Sequence, residues 1–214
     1  MVFEKGEVPN NFWKTLIKPL YKKGDKSECR NCRGIVSVGG KLLSNLMLFR
    51  LRNVVEKVLR EEQWGFRKGR GCVDQIFTLR LIIEKSLSCQ TPLVIGFVDY
   101  EQAFDSVDRR AVVKILSLYG QPDKYIKVSC AIYETNAAAD KVGNEAGSWF
   151  CIKSGVKQGF VLSLFVRIVL IDFVLRSLGK ALGDHGTKRG EKTLLDLGYT
   201  DDLIILDEIV SKIN

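Results

Sequence analysis

Two acidic positions stand where short apolar runs end. Asp99 follows Leu93-Val94-Ile95-Gly96-Phe97-Val98. Asp201 and Asp202 lie between Leu194-Leu195-Asp196-Leu197 and Leu203-Ile204-Ile205-Leu206, with Gly198-Tyr199-Thr200 before them. Runs of this length and branching suit strands. Carboxylates at the tips of adjacent strands converge on one point while the strands fix their positions. Hard oxygen ligands in such a place suit Mg²⁺, and two such ions can clamp the attacking and leaving oxygens of an in-line phosphoryl displacement. Asp also favours turns. Alone, turn chemistry is the better reading of Asp201-Asp202. Counted with Asp99 and a basic composition, the two readings are level.

The composition points to an anionic partner. Lys and Arg number 33 against 25 Asp and Glu, a net charge of +8, with 46% hydrophobic and 27% charged residues. That balance is globular rather than disordered, and excess positive charge is a footprint of nucleic-acid binding as well as of a merely basic protein. Arg67, Lys68 and Arg70 form a short cationic stretch that could track a template backbone or be a solvated face. Met1 is followed by charged residues, so no signal peptide is expected, and an intracellular address follows, with cytoplasm and nucleus not distinguished. The six cysteines are then read as thiols. Cys29-x-x-Cys32 is half a zinc pattern, with no second pair and only His185 as a histidine. The most apolar run, Phe160 to Leu178, carries Arg167, Asp172 and Arg176. It reads as a partly buried helix and not a membrane span.

The elements that must hold these residues follow from periodicity. A short strand is expected before the Lys22-Lys23-Gly24-Asp25 turn. Apolar residues at helical spacing predict a helix over 41–60, and another over 73–87. The Gly- and cation-rich stretch 62–71 separates them. The run 93–98 reads as a strand buried on both faces, ending on Asp99. Helices are expected over 109–119, stopped by Gly120, and from Pro122 to about 136. Two short strands around Gly143-Asn144, a loop at 154–159, a helix at 161–178 and a polar loop at 179–190 lead to the final pair of apolar runs.

Several of these segments, taken in order, resemble a known family. Phe97-Val98-Asp99-Tyr100-Glu101-Gln102-Ala103-Phe104-Asp105-Ser106-Val107 is similar to the first palm motif of LINE-type (non-LTR) reverse transcriptases. Ser154-Gly155-Val156-Lys157-Gln158-Gly159 resembles the motif that follows it, and Tyr199-Thr200-Asp201-Asp202 the Tyr-x-Asp-Asp box. Upstream, residues 17–25, Asn31-Cys32-Arg33-Gly34-Ile35 and Glu62-Gln63-Trp64-Gly65-Phe66-Arg67 resemble the fingers motifs. The resemblance runs from about residue 13 to 207, and an ordered series is far more specific than a lone Asp-Asp box.

The resemblance implies an α+β fold: the fingers and palm of a right-hand polymerase, with an antiparallel palm sheet backed by helices and the thumb missing. Residues 1–90 would form the fingers region and 91–214 the palm region. Asp99, Asp201 and Asp202 would hold two Mg²⁺ ions, with Mn²⁺ as a substitute. Phe104 would lie under the sugar and reject ribonucleotides, with an ordinary core aromatic as the plain alternative. Gln158 and Gly159 would bound the nucleotide pocket, and Arg33 with Lys22, or Lys23 beside it, would grip the triphosphate, a task suited to an Arg fork, with a solvated surface role as the plain alternative for either lysine. Arg67, Lys68 and Arg70 would contact the template. The partners implied are an RNA template, a DNA primer and dNTP, with no membrane; oligomeric state is left open.

The sequence departs from the family pattern at Leu164, which stands where a proline belongs, and at Arg167, a charge among apolar neighbours. It is also about two residues short near 33–38. The expected function is RNA-directed DNA polymerase by descent, weak or inactive as this chain. The alternative is a non-catalytic nucleic-acid-binding remnant of a retrotransposon.

Overall fold

In the computed structural model, all residues are described except 1, 7, 10–13, 22–23, 26, 29–31, 36–37, 101–102, 135–136, 144, 157–159, 184, 190–191, 200–201 and 210–214. In chain order the elements are α1 (Val2–Lys5), β1 (Thr15–Tyr21), β2 (Cys32–Ile35), α2 (Val38–Val55), α3 (Cys72–Cys89), β3 (Val94–Asp99), α4 (Arg109–Leu118), α5 (Asp123–Glu134), β4 (Ala137–Val142), β5 (Glu145–Ala146), β6 (Phe150–Cys151), α6 (Val161–Leu182), β7 (Thr187–Arg189), β8 (Lys192–Leu194), β9 (Asp196–Tyr199) and β10 (Asp202–Asp207). The fold is α+β. The chain forms two compact units, each built from two segments: 1–58 with 104–167, and 59–103 with 168–214.

In the first unit, α2 buries Leu43, Met47, Leu51 and Val55, four apart and so on one helical face. Helix α5 contributes Ile126, Val128 and Ile132, and the start of α6 contributes Leu162, Phe165 and Val166. Gln121 donates to the Leu51 carbonyl (3.0 Å), and the Leu162 amide donates to Ser44 Oγ (3.0 Å), so polar groups inside this core are used as ties. Helix α4 is capped by Asp108, whose side chain accepts from the Arg110 amide, and Gly120 follows its last turn with φ +75°. The sheet of this unit runs β2-β1-β4-β5, with β6 also paired to β4. Strand β1 lies antiparallel to β2 and parallel to β4, joining residues 15–17 to 138–140. This parallel pairing has no counterpart in the sequence reading.

In the second unit, β3-β10-β9 form an antiparallel sheet covered on both faces. One face carries Ile95, Leu197, Ile204 and Leu206, packed on Leu79 and Ile82 of α3. The other carries Val98, Leu203 and Ile205, packed on Ile171, Leu175 and Leu178 of α6. Burial spacings on α3 (75, 79, 82, 86) and α6 (171, 175, 178) are those of a helix lying on a sheet.

Four expectations need correction. Strand β3 is not buried on both faces: it is at the edge of its sheet and Phe97 is 76% exposed. Helix α2 stops at Val55 rather than Arg60; the Val58 amide turns back to the Val55 carbonyl (2.8 Å), and the Arg60 amide donates to Asp172 Oδ1 (3.0 Å). Three short strands, not two, lie between 137 and 151. The segment 179–190 is not a plain loop, since α6 runs to Leu182 and β7 pairs antiparallel with β8. The described cysteines 72, 89, 130 and 151 are free thiols. Among the described residues, no helix is long and apolar enough to cross a membrane.

A buried ionic cluster ties the second unit together. Arg60 binds Asp196 through two parallel bonds (Nη1–Oδ1 2.6 Å, Nη2–Oδ2 3.0 Å) and reaches Asp172 through Nε (3.2 Å). Arg176 reaches the second oxygen of Asp172 (3.2 Å). Both carboxylates are fully buried. Burial opposes the Arg60 charge, but the Asp196 hydrogen bond with the Asp196 and Asp172 charges raises its pKa above the ordinary value. Such clusters give little net stability when intact and cost much when halved. We expect Arg60→Met to lower unfolding stability by about 3–5 kcal/mol in urea titration. A loss under about 1 kcal/mol would mean that Arg176 suffices to neutralise the carboxylates.

Tyr133, buried in the first unit, supplies a pH test. Its hydroxyl is 3.2 Å from Ser163 Oγ. Burial pushes its pKa up from 10.0 to about 12, against the opposing pull of the Ser163 hydrogen bond and the Arg109 charge. The stability this contributes is complete below pH 10 and is lost as the pH rises through about 12. Urea titrations at pH 9 and 11 should show a fall that is smaller, by roughly 1–2 kcal/mol, in Tyr133→Phe.

Candidate nucleotidyl-transfer site

Asp99 is the last residue of β3 and Asp202 the first of β10, and the two are direct partners across the antiparallel ladder. Asp202 also pairs with Tyr199 of β9. Direct partners share a face, so Asp99, Asp202 and Tyr199 project on the side that faces α3. They stand at a cleft of about 300 Å³, with Cys72, Gln75 and Ile76 of α3 and Phe97 of β3 among its other walls. Both carboxylates are exposed. Like charges directly opposite on a sheet repel, and among the described residues no cation pairs with either. This pair therefore lacks a counter-charge, and a hard divalent cation with oxygen preference fits it. No group of three or more metal-ligating side chains is gathered among the described residues. Asp201 lies outside them, in the connection between β9 and β10.

Strand β9 is held at Gly198. Gln63 bridges Gly198 of β9; the Trp64 amide donates to the Gly198 carbonyl (3.0 Å), and the Gly198 amide to that of Glu62 (3.3 Å). Gln75 Nε2 donates to the same Gly198 carbonyl (3.1 Å) and to Glu62 (3.2 Å). A Cβ at Gly198 would press on Gln63 Oε1, so a side chain there requires the end of Gln63 to move. The segment 62–65 is thus a clip on the strand that precedes Tyr199. Sequence reasoning singled out these residues only as a motif; the glycine inside an apolar run was the available signal.

The cations expected to meet a template are partly occupied. Arg67 donates to the carbonyls of Arg60 (2.6 Å) and Gln63 (3.0 Å). Arg70 donates to the Glu61 carbonyl and lies over the Trp64 ring at 5.1 Å. Lys68 is exposed. Arg67 and Arg70 therefore shape the clip.

The first unit holds the remaining candidates. Phe104 opens the turn after the first palm motif and is half-buried. The guanidinium of Arg167, 4% exposed, lies over its ring at 5.6 Å. The charge that broke the apolar pattern of α6 thus faces an aromatic quadrupole. The Phe104 turn is stitched to the loop at 152–156: the Val156 amide donates to the Phe104 carbonyl (2.9 Å) and the Gly155 amide to that of Val107 (3.2 Å). Lys22, Gln158 and Gly159 lie outside the described residues, as does the side chain of Arg33, whose backbone is in β2.

Comparison with known proteins decides the family. The family model for reverse transcriptase (RNA-dependent DNA polymerase) matches residues 21–212. The chain belongs to the reverse transcriptase family. The reverse transcriptase chain is 25% identical over 206 residues to the transposon TX1 uncharacterized 149 kDa protein of Xenopus laevis, covering 95% of this chain and 16% of that protein. It is 27% identical over 213 residues to the retrovirus-related Pol polyprotein of the R2 retrotransposable element of Popillia japonica, covering 95% of this chain and 29% of that protein. These relatives agree with the non-LTR retrotransposon resemblance of the motifs. This reverse transcriptase chain thus spans less than a third of their length. Its fold is like that of apo telomerase from Candida tropicalis truncated from its C-terminal domain, with a TM-score of 0.65 at 15% identity, over 96% of this chain and 46% of that one.

The stitch at Gly155 yields a prediction. Gly155 has φ +74°, and a Cβ there would lie 2.6 Å from Asp105 Cα and 2.8 Å from the Phe104 carbonyl oxygen. Backbone cannot yield as a side chain can. Gly155→Ala should cost roughly 2–4 kcal/mol, more than Gly198→Ala, whose clash is with the end of the Gln63 side chain. Paired urea titrations would show the order; equal losses would mean that the Gly155 turn relaxes freely.

Proposed function

We propose that the chain is an RNA-directed DNA polymerase domain of a non-LTR retrotransposon, adding deoxynucleotides to a primer 3′-OH, and that alone it is a weak enzyme. The observation that carries this reading is the pairing of Asp99 with Asp202 at one end of a cleft, within a chain of the reverse transcriptase family. Asp99 and Asp202, with Asp201, would hold Mg²⁺. Bound there, the metal would neutralise phosphate charge and favour the ionised primer hydroxyl. The hydroxyl attacks the α-phosphate of a dNTP, the P–O bond to the leaving pyrophosphate breaks, and the hydroxyl proton passes to solvent.

The chain's own residues supply position. Strand register fixes the two carboxylates, and the Gln63–Gly198 clip fixes the hairpin that bears Asp202. Phe104, its ring stacked by Arg167, would meet the sugar. Gln158 and Gly159 would bound the base pair, and Lys22 and Arg33 the triphosphate. In this reading residues 1–90 act as fingers and 91–214 as palm. An RNA template with its DNA primer would meet the exposed Lys68. Telomerase from Candida tropicalis has been solved with a fragment of telomeric RNA, and RNA binding by this chain is part of the proposal.

Primer extension on an RNA template with dNTPs and Mg²⁺ tests it. We expect slow synthesis that Asp99→Ala and Asp202→Ala each reduce at least about a hundredfold. Synthesis unaffected by either substitution would remove the proposed site. Salt-sensitive RNA binding without any synthesis, retained in both variants, would leave a nucleic-acid-binding remnant instead.

A further inference from the structure

Arg109 is the first residue of α4, and its guanidinium is spent on backbone carbonyls. Nε donates to Gly155 (2.7 Å), Nη1 to Tyr133 (2.6 Å), and Nη2 to Ile152 (3.1 Å) and Ser154 (3.1 Å). The group also lies over the Tyr133 ring at 5.8 Å. A cation that serves neutral acceptors, most of them on one short loop, is a clamp for that loop. The loop's other edge is bonded to the Phe104 turn through the Gly155 and Val156 amides. Gly155 and Val156 are buried, while Lys153 and Ser154 are exposed. Ser154 and Val156 line a cavity of about 590 Å³, shared with Val112 and Leu116 of α4 and Ser129 of α5. Hydrogen bonds help to set where this loop runs: Arg109 supplies three of them, and its fourth ties the group to Tyr133 of α5.

We infer that Arg109 is a positioning residue: it fixes the loop 152–156 against the Phe104 turn, and so holds the turn that carries the Phe104 ring. This inference rests on the polymerase reading, in which Phe104 meets the sugar of the incoming nucleotide. Arg109 touches none of the reacting atoms. Its loss loosens nucleotide binding and leaves the chemical step nearly intact.

Arg109→Lys is the test, since an ammonium keeps the charge but cannot serve acceptors spread over two segments. In primer extension we expect KM for dNTP to rise about tenfold with kcat within about threefold. In hydrogen exchange, the Gly155 and Val156 amides should exchange roughly ten- to a hundredfold faster, while α4 amides from Val112 to Leu116 stay unchanged. An unchanged KM, or faster exchange throughout α4 and α5 alike, would overturn the inference and leave Arg109 as a general strut. If the unsubstituted chain makes no DNA, it is the polymerase reading that fails. The clamp is then judged by titrating a fluorescent dNTP analogue in Mg²⁺. A Kd raised about tenfold in Arg109→Lys upholds it, and an equal Kd overturns it.

Discussion

The ladder between β3 and β10 is the constraint on which the proposed site depends. Six pairs run in register from Asp99 with Asp202 to Val94 with Asp207. A slip of one residue would exchange the two faces of β10. That would set Leu203 against α3 and Ile204 against α6, and it would turn Asp202 away from Asp99. Register is held by burial on both faces, since α3 and α6 each take alternate residues of the sheet. It is held at the far end too. Asp207, buried, accepts from the amides of Gly186, Glu208 and Ile209 and lies 3.2 Å from His185 Nδ1. A carboxylate that satisfies so many donors cannot shift by one position without orphaning them.

Much of this was legible in the residues. Run length and branching placed β3 and β10, and proline, glycine and helical spacing placed α3, α4, α5 and α6 within a few residues. The carboxylates were recognisable because charged residues close apolar runs there. What escaped the sequence was long-range pairing. Nothing in residues 15–17 announces a parallel partner at 138–140, because parallel pairing is set by the path of intervening chain rather than by local composition. The exposure of Phe97 escaped for a related reason: an apolar run shows that a strand is apolar, not that both its neighbours exist.

The charged residues inside apolar segments were more informative than their first reading allowed. Arg167 looked like a defect in α6, and its partner proved to be the ring of Phe104, far away in sequence. Asp172 and Asp196 interrupt apolar runs in the same way and converge on Arg60. Each was visible as an anomaly, and the physical rule that a buried charge must be matched foretells a partner without saying which. Arg109 gave no signal, since an arginine beginning a helix after an aspartate cap is ordinary on a surface. Its bonding is to backbone, which carries no side-chain signature.

The two compact units are interleaved, each assembled from one early and one late stretch of chain. The consequence concerns synthesis on the ribosome. Strand β3 emerges about a hundred residues before β10, so at translation rates of roughly 5–20 residues per second it waits for many seconds without a neighbour. Through that interval Phe97 and an unpaired strand edge stand open to solvent and to other nascent chains. Helix α3, made just before β3, is the only cover for one face then available, and α6 follows for the other. The catalytic geometry proposed for this chain thus cannot form until β10 has been made, and its yield in a cell would depend on whatever shields β3 in the meantime.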